Sequence, residues 1–146
     1  MSLPEGFAFA HELRVRWSET DPQGIVFNAN YLMYADIGFT EYIRALGYTF
    51  PMPMEGTETD IFAVRSEVDF RDSVRFDEII SIAVRTARIG RSSFTVEFQM
   101  RREDALLAEL RTTYVNAVPD GGGSRPLPTD FVARIEAFER AAPARG

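Results

Sequence analysis

The chain has 146 residues, 45% hydrophobic and 26% charged, a length and balance that predict one globular domain over residues 1–146. Its 16 basic residues are all arginine and face 22 acids, for a net charge of −6. The lack of cysteine excludes a disulfide framework, a thiol nucleophile and Cys-ligated clusters; the lack of lysine excludes Schiff-base chemistry and a P-loop; a lone His11 excludes multi-histidine metal sites.

Residues 7–17 alternate strictly, with Phe7, Phe9, His11, Leu13, Val15 and Trp17 on one face and Glu12, Arg14 and Arg16 on the other. A period of two predicts a half-buried strand, with His11 a packed or interface side chain and Trp17 a core anchor. Residues 18–28 contain Asp-Pro-x-Gly, a tight-turn sequence in which Asp21 accepts local amide hydrogen bonds. Asn28 or Asn30 can then N-cap a helix running to about Leu46 and stopped by Gly47. That helix is apolar on most sides, with a narrow polar stripe of Asp36, Thr40, Glu41 and Arg44, so it belongs in a core. A loop containing the PMPMEG stretch follows. Four strands come next: 61–71, with Val64, Ser66, Val68 and Phe70 on one face; about 78–89, with Ile80, Ile82 and Val84; 93–102, with Phe94, Val96, Phe98 and Met100; and 106–118. Gly90 and Asp104 mark the turns between them. Gly121 to Gly123 break the chain, and a short helix follows Pro128 through Phe131, Ile135 and Phe138.

Strand, buried helix, four antiparallel strands and a terminal helix make an α+β architecture: a curved five-stranded antiparallel sheet wrapped around the long hydrophobic helix. Its open edges favour edge-to-edge pairing into a homodimer or homotetramer. Residues 1–60 hold nine acids and three arginines, whereas residues 79–102 are locally basic. That distribution disfavours nucleic acid as a partner and suits a small phosphorylated ligand. No apolar window is long enough for a membrane span, and the N-terminus lacks the features of a secretory signal, which makes cytoplasmic the expected location.

No GxSxG, GxGxxG, P-loop or HExxH motif is present, so acid–base or nucleophilic work falls to carboxylates, tyrosines and backbone groups. Residues 15–36, VRWSETDPQGIVFNANYLMYAD, carry Trp17, Thr20, Asp21, Gly24, Val26, Phe27, Asn28, Tyr31 and Asp36. This string resembles the opening signature of hotdog-fold acyl-CoA thioesterases of the 4-hydroxybenzoyl-CoA thioesterase-like branch. The resemblance extends through Arg44, Gly47 and Ser73–Glu78 to the turn at Arg88–Ser93, and the element order is the hotdog order.

The resemblance implies that Asp21 is the nucleophile or general base on the thioester. It also implies that the helix-opening amide at Asn28 polarises the thioester carbonyl, and Asn28 serves equally as a plain N-cap. Gly24 permits the tight turn and leaves room for the acyl group. Tyr31 belongs to the substrate-facing end of the helix, and part of the Met33–Tyr34 cluster could line an acyl tunnel. Arg88, Arg91, Ser92 and Ser93 are either contacts to coenzyme A phosphates or a solvated hairpin tip. Other hotdog thioesterases place a catalytic carboxylate on the helix stripe; with Asp21 present, Asp36 and Glu41 are read as interface or solvated residues. Aromatic-substrate members carry Tyr at the position of Asn28, and many aliphatic-type relatives carry His or Asn, so the acyl group is aromatic or aliphatic. No metal or redox cofactor is implied, coenzyme A entering as part of the substrate. The alternatives are a thioesterase for acyl-carrier-protein or polyketide esters and a non-catalytic acyl-CoA-binding protein.

Overall fold

A computed structural model describes residues 2–49 and 58–146. The PMPMEG stretch therefore lies outside the described residues. The strands β1 (Ala10–Arg14), β2 (Asp60–Phe70), β3 (Ile79–Ile89), β4 (Ser93–Arg102) and β5 (Ala105–Val118) pair antiparallel in the order β1-β3-β4-β5-β2. Two short additions, β6 (Gly123–Ser124) against β5 and β7 (Ala144–Arg145) parallel to β3, were not legible as strands in the sequence. Helix α1 (Asn30–Ala45) lies across the sheet, and α2 (Thr129–Phe138) closes one end of the core.

Alternation explains which sheet face α1 covers. Ile80, Ile82, Val84, Phe94, Val96, Phe98, Met100 and Leu110 are buried beneath it. From the helix come Tyr34, Phe39, Tyr42 and Ile43, with Phe39 stacked on Tyr114 at 4.5 Å between ring centroids. Gly38 lets the two layers approach, because a Cβ there would sit 2.6 Å from Ile82 Cγ2 and 3.2 Å from Val84 Cγ2. Helix α2 contributes Phe131 and Ile135, and Phe131 packs edge-on against Phe94.

Three expectations fail for identifiable reasons. The first strand stops at Arg14 rather than running through residue 17, because the chain turns into a single 3-10 turn at Trp17–Glu19. Trp17 is consequently no core anchor; it is 74% exposed. Second, β2 carries a bulge between Ala63 and Arg65, and the extra residue shifts the alternation. Val64 leaves the core face, and Ala63 and Ile61 take the positions opposite Tyr114 and Asn116. Third, α1 is not buried all round: Leu32 and Met33 are exposed on its outer side. Among the described residues no helix is long and apolar enough to cross a membrane.

Candidate active site

The segment between β1 and α1 is built around one buried carboxylate. Arg16 and Glu19 stand three apart, so the 3-10 turn brings Glu19 back onto Arg16: the Arg16 backbone N–H donates to Oε1 at 2.8 Å, and its guanidinium lies 2.6 Å from Oε2. The Tyr34 hydroxyl donates to Oε1 from inside the core at 2.8 Å. Glu19's carbonyl oxygen accepts both the Phe27 N–H at 3.0 Å and the Asn30 side-chain amide at 2.8 Å. Burial alone would raise the Glu19 pKa, but the Arg16 N–H, the Arg16 guanidinium and the Tyr34 hydroxyl outweigh it and hold the carboxyl below its ordinary value.

From this anchor the chain makes a tight hairpin, with Thr20 bridging Val26. The Asp21 N–H donates to the Ile25 oxygen at 2.8 Å, and the Gly24 N–H donates to the Asp21 oxygen at 2.9 Å. Gly24 has φ +81, the left-handed residue that follows a type I turn in a hairpin of this length. Nothing lies within 4 Å of a Cβ built there, so the backbone conformation, not crowding, is what requires glycine. Asp21 Oδ1 accepts the Gln23 N–H at 2.8 Å, the side-chain turn read from the sequence, while Oδ2 has no partner among the described residues. The hairpin is clamped from outside by the Val26 N–H on the Val74 oxygen at 2.7 Å and by the Ile25–Arg75 bridge.

Asn28 is not a side-chain cap. Ala29 occupies the N-cap position, no side-chain bond is made there, and the Asn30 and Tyr31 amides bond back to the oxygens of Phe27 and Asn28. The helix is entered through consecutive backbone turns, which makes a capping side chain unnecessary. Asn28 is exposed, and its own N–H has no partner among the described residues.

Asn28 and Tyr31 line a cleft of about 390 Å3 with Ile25, Val26, Phe70 and Asp72. Tyr31 lies edge-on to Phe70 at 4.9 Å, and burial, helped by the nearby Asp72 and Glu78, raises its hydroxyl pKa. Asp21 stands on the hairpin next to this cleft and is not among its lining residues. Phe70 and Asp72 were missed because the end of β2 reads as an ordinary strand terminus. Glu19 was missed inside a polar Ser-Glu-Thr-Asp run, although its three-residue spacing from Arg16 was a usable signal.

The basic turn lies elsewhere. Arg88 donates to Ser93 Oγ at 2.9 Å and Thr95 Oγ1 at 3.1 Å, and Ser92's carbonyl oxygen accepts the Asn116 N–H at 2.8 Å. Arg91 is exposed beside α2, lining a separate hollow with Leu127 and Glu136. The hairpin that carries Asp21 meets the chain at Arg75, just before β3, whereas Arg88 lies at the far end of β3 and Arg91 to Ser93 follow it. From Ile79 to Arg88 the strand runs nine steps, at most about 30 Å at a strand rise of roughly 3.3 Å per residue. One chain does not bring the two groups together. Among the described residues no group of three or more His, Cys, Asp or Glu side chains could hold a metal ion.

Comparison with known proteins gives this arrangement a context. The acyl-CoA thioesterase YbgC of Haemophilus influenzae is 24% identical over 125 residues, 86% of this chain and 89% of that protein. A thioesterase from Thermus thermophilus, solved with coenzyme A and Zn, superposes with a TM-score of 0.77 at 28% identity, covering 92% of this chain and 96% of that one. Slr0204 from Synechocystis, a 1,4-dihydroxy-2-naphthoyl-CoA thioesterase, shares the fold with a TM-score of 0.80 at 16% identity, covering 87% and 94%. The sheet wrapped on α1 is the hotdog architecture anticipated from the element order. The thioesterase superfamily model matches residues 23–109, more than half of the chain, and with the hairpin and helix entrance in place we conclude that this chain belongs to that superfamily and is a thioester hydrolase.

Proposed function

We propose that the chain, as one thioesterase domain over residues 1–146, hydrolyses an aromatic or aliphatic acyl-CoA to the free acid and CoA. The observation that carries this reading is the hairpin itself: among the described residues Asp21 Oδ2 has no partner, and it stands next to the cleft where the Asn28 N–H has none either. A backbone donor aimed at a thioester oxygen stabilises the charge that develops there. A carboxylate on the same rigid segment can add to the carbonyl carbon or take a proton from an attacking water. Gly24 holds the turn, and Tyr31 and Phe70 supply apolar walls for the acyl group. No resident metal or redox group has a part in this chemistry, and the proposed location is the cytoplasm.

The chain is proposed to act as a homo-oligomer. Among the described residues strand β2 pairs only with β5, and it exposes Phe62, Val64 and Phe70, an open apolar edge suited to a second copy. Thiol release from short, long and aromatic acyl-CoAs, run beside Asp21→Asn, tests the reaction. A general base or nucleophile is worth on the order of 10²–10⁴ in rate. A loss below tenfold in a folded Asp21→Asn variant refutes the role of Asp21. Turnover of carrier-protein esters but not of CoA esters would transfer the activity to that substrate class.

A further inference from the structure

Asparagine at the start of a helix is ordinarily a cap, its side-chain oxygen accepting an amide of the first turn. Asn30 does not serve that way. It is the first residue of α1, the N-cap position belongs to Ala29, and no side-chain bond is made there. Asparagine is also a poorer helix former than alanine or leucine, so propensity does not account for it. Its side chain instead crosses to the 3-10 turn, where the amide Nδ2 donates to the Glu19 carbonyl oxygen at 2.8 Å.

That oxygen also accepts the Phe27 N–H at 3.0 Å, so both of its lone pairs are used. The Asn30 N–H in turn donates to the Phe27 oxygen at 2.8 Å. Residues 27 and 30 are thereby tied to one oxygen and to each other. Asn28 lies inside this span, and its N–H has no partner among the described residues. The same helix holds Glu19 a second time: Tyr34, one turn beyond Asn30, donates to Oε1 at 2.8 Å. Side chains four apart stand on one face of a helix, so Asn30 and Tyr34 grip the carbonyl and the carboxylate of a single residue. Thr20, the next residue, bridges Val26, and Asp21 follows it. The carboxylate and the free amide of the candidate site therefore share one anchor.

We infer that Asn30 is a positioning residue for thioester hydrolysis, holding the Asn28 N–H in place relative to the Asp21 carboxylate through the Glu19 carbonyl oxygen. This rests on the reading of Asp21 and Asn28 above. A donor stabilises an oxyanion best when it is already aimed, because backbone that must move as charge develops adds to the barrier. A hydrogen bond that fixes the donor acts in the transition state and not in ground-state binding. Its loss falls on kcat and spares KM.

Acyl-CoA turnover and urea unfolding are measured for the parent, Asp21→Asn, Asn30→Ala, Asn30→Gln and Tyr48→Phe. Removing an oxyanion donor outright costs about 10²–10³ in kcat, and misplacing one costs less. Asn30→Ala is expected to lower kcat about 10- to 100-fold with KM unchanged within about twofold. Its stability should stay close to the parent's, because the helix propensity of alanine offsets the lost hydrogen bond. Asn30→Gln keeps the donor on a longer arm and should recover part of kcat. Tyr48→Phe removes a side-chain hydrogen bond to Asp130 beyond the other end of α1 and should leave kcat unchanged. In the amide NMR spectrum of Asn30→Ala the Asn28 resonance should shift and broaden while those of α2 stay in place.

Parental kcat in Asn30→Ala, a loss confined to KM, or an unmoved Asn28 resonance overturns the positioning role. An equal kcat loss in Tyr48→Phe does the same, since stability alone would then explain it. Asp21→Asn inactive beside a fully active Asn30→Ala overturns this inference and leaves the catalytic reading standing. Asp21→Asn with parental activity overturns both, so the two failures are told apart.

Discussion

Replacing Glu19 by alanine tests the claim that one buried carboxylate holds the candidate catalytic hairpin in place. Glu19 is 5% exposed and Tyr34 is fully buried, so the Tyr34 hydroxyl has no other acceptor once the carboxylate is gone. An orphaned buried hydroxyl costs about 1–3 kcal/mol. The Arg16 guanidinium is exposed and can return to water, so its ion pair contributes little. The cavity left by two methylenes and the carboxyl adds to the cost, for an expected loss of about 2–4 kcal/mol. Glu19→Gln keeps an acceptor for the hydroxyl and should cost less than half as much. In a Tyr34→Phe background there is no hydroxyl to orphan, and Glu19→Ala should then cost about 1–2 kcal/mol less than in the parent. Urea unfolding of the four members of this cycle measures the coupling. Additivity within about 0.3 kcal/mol would show that Glu19 and Tyr34 act independently and would sink the argument. The pH dependence has a definite sign. A carboxyl held below its ordinary value of 4.5 contributes stability that is full above that value and is lost as pH falls through the lower folded pKa. The gap between the parent and Glu19→Gln should therefore close in acid, below about pH 4.5, and not at neutral pH.

Three further substitutions probe other parts of the frame. Gly38→Ala drives a methyl to 2.6 Å from Ile82 Cγ2, an overpacking expected to cost about 1–3 kcal/mol by denaturant unfolding; a neutral result would mean α1 floats freely over β3. Gly24→Ala should cost about 1 kcal/mol because φ is +81, and Gly24→Asn should cost less; if the larger asparagine were worse, space rather than conformation would be the reason for glycine. Glu139 places Oε2 between the Tyr42 hydroxyl and the Thr86 N–H, leaves Oε1 buried without a partner among the described residues, and has its pKa raised by burial. A raised carboxyl favours the fold below the unfolded value and loses that advantage as pH rises through the folded one, so the parent should lose stability relative to Glu139→Gln as pH rises above 4.5 through the raised folded value. A gap that is constant over that range would refute the burial of a titrating carboxyl.

Local patterns carried most of the fold because they rest on short-range physics. Strict alternation over 93–102 reappears as β4 with Phe94, Val96, Phe98 and Met100 inward, and the 3.6-residue spacing of Phe131 and Ile135 reappears as α2. The Asp-Pro-x-Gly turn also survives unchanged, since its chemistry needs only four consecutive residues. Where alternation was extrapolated too far the reading broke. Trp17 continues the pattern of β1 in sequence but not in space, because the pairing of Arg16 with Glu19 turns the chain out of the sheet.

Periodicity and local backbone preference are enough to specify the main strands and helices, the glycine at Gly24 and the placing of Asp21 on a tight turn ahead of a hydrophobic helix. Three other features needed the folded chain: Glu19 as the buried anchor, the bulge that moves Val64 off the core face, and the bridge that sets Arg75 against the hairpin while Arg88 lies at the far end of β3. Burial, register and ion pairing depend on which distant segments meet. Tyr34, Thr113 and Ile25 are the respective partners, and no spacing along the chain announces them.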